Sequence, residues 1–217
     1  MNRKGMKSLC VGLMFLIAFA VWTALVMLVD VRPEGQNGTK IGLATLNLWF
    51  HSLTGVHMQV YILTDWLGLV PVFICMIFGA LGFIQLVRRR SFFRVDIDII
   101  LLGIYYIIVI LCYLVFEMIP INYRPVLIDG RLEASYPSST TLLVLCVMPT
   151  LLEQTHRRLI SIVPRRIIRI SALLFTIFMV AGRTVSGVHW LSDIAGAVFL
   201  SIGLFFIYKA STEAFGK

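Results

Sequence analysis

The stretch Ile99-Ile-Leu-Leu-Gly-Ile-Tyr-Tyr-Ile-Ile-Val-Ile-Leu-Cys-Tyr-Leu-Val-Phe116 runs for 18 residues without a charge. A helix rises about 1.5 Å per residue, so a run of this length nearly crosses a hydrocarbon core of about 30 Å. Working outward from it, five further apolar segments emerge, near Leu9–Leu28, Leu63–Val87, Ser138–Leu152, Ile170–Gly182 and Trp190–Tyr208. The fourth (Ser138–Leu152) and the fifth (Ile170–Gly182) of the six are short for spans. They can still cross if protein wraps their outer ends. The composition agrees with lipid as the solvent: 59% of the 217 residues are hydrophobic and 14% charged. The mean hydropathy is +0.92, whereas soluble domains run at about half apolar and a quarter charged. The expected fold is therefore all-α, a bundle of six transmembrane helices forming a single membrane domain over residues 1–217.

The net charge of +8 would suit nucleic acid only if the cations formed a free patch. Instead they flank the apolar runs. All but five of the 19 lysines and arginines fall at the N-terminus, the second and fourth connections or the C-terminus, and the exceptions are Arg32, Lys40, Arg124, Arg131 and Arg183. By the positive-inside rule both termini are expected in the cytoplasm. Nucleic acid is not an expected partner. The first segment follows Arg3, Lys4 and Lys7 but lacks a small-residue cleavage site before Asp30, so it is expected to be a retained anchor rather than a signal peptide. The first external loop holds Ile41–Leu53, apolar enough to lie in the interface as a short helix. Its His51 and His57 suit interface contacts. Cys10, Cys75, Cys112 and Cys146 lie in apolar runs without metal-ligand spacing and read as small hydrophobes.

Three polar clusters map to the external ends of the segments. One is Ile121-Asn-Tyr-Arg-Pro125, the second Pro137-Ser-Ser-Thr-Thr141, the third Gly182-Arg-Thr-Val-Ser-Gly-Val-His189 with Asp193 beyond it. His189 and Asp193 are four apart on a helix face, so the carboxylate can hold one imidazole nitrogen and leave the other as a nucleophile. Arg124 and Arg183 can clamp a phosphate through paired N–H donors. Ser138, Ser139 and Thr140 open a helix, where hydroxyls and free amides suit an anion. Each cluster alone has an ordinary explanation: a helix cap, a headgroup contact, a structural pair. Their convergence on one face argues for a site.

These residues resemble the type 2 phosphatidic acid phosphatases, a family of integral membrane lipid phosphatases. Arg183-x5-His189-x3-Asp193 matches the family's third motif, Arg124-Pro125 ends the first, and Pro137-Ser138 opens the second. Two positions depart: Glu117 stands where the first motif has Lys, and Thr140 where the second has His. The resemblance implies a metal-independent phosphatase without a cofactor, acting through a phosphohistidine on His189 that Asp193 orients. Arg124 and Arg183 would bind phosphate oxygens. Glu117 cannot inherit a phosphate-binding role, and Thr140 cannot inherit acid catalysis. Glu117 is expected to pair with an arginine, and Arg131 and Lys40 are candidate replacements for the missing cation.

A diphosphate leaves as a weakly basic phosphate, whereas an alkoxide must be protonated. A polyprenyl diphosphate is therefore the expected substrate in preference to phosphatidate. A silent lipid-phosphate-binding protein on the same scaffold is the alternative. A transporter fits less well, because no inverted repeat is evident. The expected location is a bacterial cytoplasmic membrane, with the site facing outside and a lipid phosphate or diphosphate as partner.

Overall fold

A computed structural model describes residues 3–215. Among them are eight α-helices and no strand: α1 (Arg3–Leu28), α2 (Ala44–Thr54), α3 (Met58–Leu67), α4 (Leu69–Arg89), α5 (Ile97–Met118), α6 (Ser139–Arg158), α7 (Ile162–Val185) and α8 (Leu191–Phe215). Five stretches are long and apolar enough to cross a membrane: α1, α3 with α4 as Met58–Arg89, α5, α7 and α8. Their outward faces carry exposed apolar side chains such as Phe73, Phe83, Ile107 and Leu173. A soluble protein rarely leaves so much apolar surface uncovered. The chain is an integral membrane protein.

The two segments read as short are not. α6 has 20 residues and α7 has 24. Arg165, Arg166 and Arg169 interrupt the apolar pattern of α7 without interrupting its helix. Hydropathy alone therefore trimmed it, because a helix can carry arginines in its end turns where they reach water. α6 differs in another way. It lies in the middle of the bundle against α4, α7 and α8, and it buries Thr141, Thr150, Gln154 and Thr155. Tyr106 and Thr150 share a hydrogen bond of 2.8 Å, and Gln154 donates to the Tyr208 hydroxyl at 3.0 Å. A helix that faces protein instead of lipid can hold such groups once they are paired.

α1 packs most extensively on α8. Gly12 and Gly203 make this possible, since a Cβ on Gly203 would sit 2.7 Å from Leu16 and one on Gly12 would sit 2.9 Å from Ile207. Small residues let helices approach closely where no hydrophobic force separates them from lipid. Ser8 donates to Glu213 at 2.8 Å, so the start of α1 and the end of α8 lie together. At the opposite end, Trp22 donates to the Ser192 carbonyl at 3.0 Å and Thr23 bonds the Tyr136 hydroxyl at 2.7 Å. That end gathers the connections carrying the three polar clusters. The α3–α4 stretch is 32 residues, against the roughly 20 a bilayer requires. Its extra turns bring Tyr61 and Asp65 up among those connections.

Candidate active site

The connection between α5 and α6 folds back on itself. Arg124 N–H donates to the Glu133 carbonyl at 3.1 Å, and Ser135 N–H to the Asn122 carbonyl at 2.9 Å. This hairpin sets Arg124 and Ser135 side by side. The α7–α8 turn is held from several directions. Trp190 Nε1 donates to the Tyr123 carbonyl at 2.7 Å, and the His51 ring meets the Gly187 carbonyl at 3.1 Å. Gly187 has φ of 67°, and a Cβ there would lie 1.9 Å from the Gly55 carbonyl, so only glycine fits. α2 clamps the start of α8. Asn47 donates to Ser192 Oγ at 2.9 Å and accepts from Ser192 N–H at 3.1 Å. His51, expected in a loop, lies in the last turn of α2 and supports the turn that carries His189.

His189 and Asp193 are both buried at the bundle's end. Their contact is not the direct hydrogen bond that the i, i+4 spacing suggests. Nδ1 lies 3.8 Å from Asp193 Oδ2, beyond hydrogen-bond range. Ser135 fills the gap: its Oγ lies 3.1 Å from His189 Nδ1 and donates a short bond to Asp193 Oδ2. The Ser135 carbonyl, 3.2 Å from Nδ1, is a further acceptor. Asp193 is also fixed by the Trp190 N–H at 2.9 Å and by Ser192 Oγ at 3.4 Å. With acceptors on the Nδ1 side, the network assigns the proton to Nδ1 and leaves Nε2 unprotonated, as an acceptor.

Nε2 faces Arg183, whose Nη2 lies 3.2 Å away. Arg183 is fully buried, yet its Nε has no partner. Its Nη1 reaches Asp65 Oδ1 at 3.4 Å. Arg124, 8% exposed, pairs with Glu133 at 3.1 Å, and its Nε and Nη1 are buried without partners. Both guanidinium groups stand over the Tyr61 ring, at 4.8 Å for Arg183 and 5.5 Å for Arg124. Each such contact contributes about 0.5–2 kcal/mol. That only partly offsets two buried cations with three empty donor positions, since an unmet buried donor costs about 1–3 kcal/mol and more when charged. An anion between the arginines would meet the deficit.

Burial lowers the proton affinity of His189 well below that of an ordinary histidine, and the charges of Arg124 and Arg183 lower it further. The imidazole is therefore held neutral, as a nucleophile requires.

The structure brings His189, Asp193, Arg124 and Arg183 together. Ser139 lines a small recess shared with His189, and Thr140 lines an apolar crevice of about 370 Å³ between α4, α5 and α6. Ser138 points elsewhere: it is fully buried and its hydroxyl donates to Thr141 Oγ1 at 3.0 Å. Glu117 makes no ion pair among the described residues, and the carboxylate paired with Arg124 is Glu133. Glu117 sits at the exposed end of α5, whereas Glu133 is carried to Arg124 by the hairpin. Arg131 and Lys40 are exposed and make no ion pair among the described residues. Ser135, Tyr61, Asp65 and Asn47 were not legible in the sequence, because none belongs to a spaced motif.

No family model matches the sequence, and no curated protein matches it. Among solved structures, the chain is similar to a transmembrane PAP2-type phosphatidylglycerolphosphate phosphatase from Bacillus subtilis. The TM-score is 0.69 over 95% of this chain and 98% of that one, at 15% identity. The fold is that of a PAP2-type phosphatase. The resemblance read from three short motifs thus extends over the whole bundle. In this fold Arg124, Arg183, His189 and Asp193 meet at one end, where the His189 imidazole touches Arg183 and feels the charge of Arg124.

Proposed function

We propose that this chain is a membrane lipid phosphatase of the type 2 phosphatidic acid phosphatase family, acting through a phosphohistidine on His189. The observation that carries the proposal is the pair of buried guanidinium groups with open donors, of which Arg183 also touches His189 Nε2. A phosphoryl group bound by Arg124 and Arg183 replaces the Arg183–Nε2 contact with Arg–oxygen bonds. Nε2 then attacks phosphorus, and the imidazolium that forms is steadied by Ser135 and Asp193 at Nδ1. Ser139 and Thr140 supply hydroxyls at the rim. Water then attacks the phosphohistidine and frees inorganic phosphate. The two arginines stabilise charge that moves onto the equatorial oxygens.

The favoured substrate is a lipid diphosphate such as a polyprenyl diphosphate. Thr140 carries no transferable proton near neutral pH, and a positioned general acid is worth about 10²–10⁴-fold. A phosphate leaving group does not need that proton, since its second pKa is about 6, while an alkoxide does. The basic residues at the end where α1 starts and α8 finishes favour six spans with both termini in the cytoplasm. This puts the site on the non-cytoplasmic face and α2 in the interface beside it. A bacterial cytoplasmic membrane is the expected setting.

Phosphate release by purified protein and by His189→Ala tests the reading, with phosphatidate and polyprenyl diphosphate as substrates and with or without a chelator. The expected result is chelator-insensitive release that is faster from the diphosphate and lost in the variant. Faster phosphatidate turnover would sink the substrate assignment. Tight binding of lipid phosphate without release would favour the silent-binder reading, which Thr140 and Glu117 motivate.

A further inference from the structure

The site has a nucleophile and a clamp, but Ser138, Ser139 and Thr140 offer no acid for an alkoxide leaving group. Two carboxylates stand near enough to be considered. Glu117 borders the recess formed with Ser135, Tyr136 and His189, and Ser135 is the residue that caps Nδ1. Glu117 is therefore on the side of the imidazole that does not attack.

Asp65 is placed differently. Its Oδ1 meets Nη1 of Arg183 at 3.4 Å, while His189 Nε2 meets Nη2 of the same guanidinium at 3.2 Å. A phosphoryl group lying against that guanidinium has the imidazole at one edge and the carboxylate at the other, the two ends of an in-line displacement. Asp65 also stands with Ser139, Thr140 and Gly68 at the polar end of the 370 Å³ crevice, whose remaining walls include Leu69, Val72 and Val109. An apolar leaving group fits that crevice, so its bridging oxygen would emerge beside Asp65. The Asp65 side chain is 55% exposed, so it is not walled off by protein.

We infer that Asp65 is the proton-transfer residue of this site, serving the leaving oxygen of lipid monophosphates; the inference rests on the phosphatase reading above. The monoanion of the substrate brings one proton. As Nε2 forms its bond to phosphorus and the P–O bond to the lipid breaks, Asp65 takes that proton from the phosphoryl oxygen and delivers it to the leaving oxygen. The products are the lipid alcohol and a dianionic phosphoryl group on a cationic imidazole. In the second half, water attacks phosphorus, its proton passes to a phosphoryl oxygen, and dihydrogen phosphate leaves as neutral His189 is regenerated; this step is common to both substrates and does not use Asp65. No metal or redox partner enters the balance.

The test compares polyprenyl monophosphate with polyprenyl diphosphate of the same chain length. Asp65→Asn retains the size of the side chain and an oxygen for Arg183. It should lower kcat on the monophosphate by about 10²–10⁴-fold, the value of a general acid, and kcat on the diphosphate by less than about tenfold. Glu117→Gln should leave the two rates in their wild-type ratio. An equal loss on both substrates in Asp65→Asn would make Asp65 a positioning residue for Arg183 and overturn the inference. So would an unchanged rate in Asp65→Asn, or a monophosphate-selective loss in Glu117→Gln. Failure of the underlying phosphatase reading looks different: wild-type protein inert on both substrates, or His189→Ala still active, defeats both proposals together.

Discussion

Two groups of arginines, one at each end of this bundle, are held in opposite ways. Where α1 begins and α8 finishes, Arg89 pairs with Asp96 at 2.7 Å, Arg158 with Asp98 at 2.7 Å and Arg157 with Glu153 at 2.8 Å. Hydrogen bonding from Arg89 holds the Asp96 carboxyl below the usual carboxylate range. Even Arg165, whose Nε lacks a partner, commits its terminal nitrogens to His156 and the Leu159 carbonyl. At the other end, Arg124 and Arg183 are more deeply buried than Arg89, Arg157 or Arg158, yet three of their nitrogens are unmet. Satisfied charges fasten helices together; unsatisfied ones, held in place by Tyr61 and Glu133, are poised for a ligand.

The contrast breaks most visibly at His189. His189→Ala should reduce phosphate release by about 10⁴-fold or more, as loss of a nucleophile does elsewhere. Retained turnover would leave the open arginines without a reaction to serve. Arg183→Lys is the next largest effect. It keeps the charge but loses the planar fork, and a fall in kcat of about 10²–10³-fold is expected, the value of one preorganised donor. A change in KM alone would reduce Arg183 to uniform binding. Ser135→Ala should cost about 10–100-fold in kcat, as outer contacts to a functional imidazole do, with KM little changed.

The pH profile sharpens the same comparison. Because the His189 pKa is lowered in the folded protein, its neutral form persists below the ordinary histidine value of about 6.5. The acid limb of kcat/KM assigned to His189 should therefore fall below that value. The linkage runs the same way: the stability owed to the neutral buried imidazole is full above about 6.5 and declines as pH falls toward the folded value. A limb above 6.5 would mean that neither burial nor the two arginines act on His189 in the free protein. The smallest effect belongs to the other end. Arg158→Met should leave kcat unchanged and cost about 1–2 kcal/mol of stability by removing a partly buried network, read as a lower midpoint in thermal unfolding.

The sequence made the bundle legible because apolar length is read directly from composition, and the Arg-x5-His-x3-Asp spacing survived as a local pattern. What it hid was whatever depended on folding back. Ser135 enters the site only because the α5–α6 connection returns on itself to set it under His189. Asp65 and Tyr61 arrive on helical turns beyond what a membrane requires. Arg165 and Arg169 disguised the length of α7, and the polar run Glu153–Arg158 disguised that of α6, since hydropathy does not register a helix that continues beyond its apolar part. The place of Glu117 in the chain suggests an ion-pair partner for an arginine, but Glu133 takes that position through the hairpin.

Trapping the phosphoenzyme tests the central claim most directly. Rapid quenching of the purified protein during turnover of a polyprenyl diphosphate labelled in its terminal phosphoryl group should yield an acid-labile, base-stable phosphoryl adduct on His189, absent from His189→Ala. Turnover with the label on another residue, or with no protein-bound label under conditions that trap other phosphohistidines, would contradict the account.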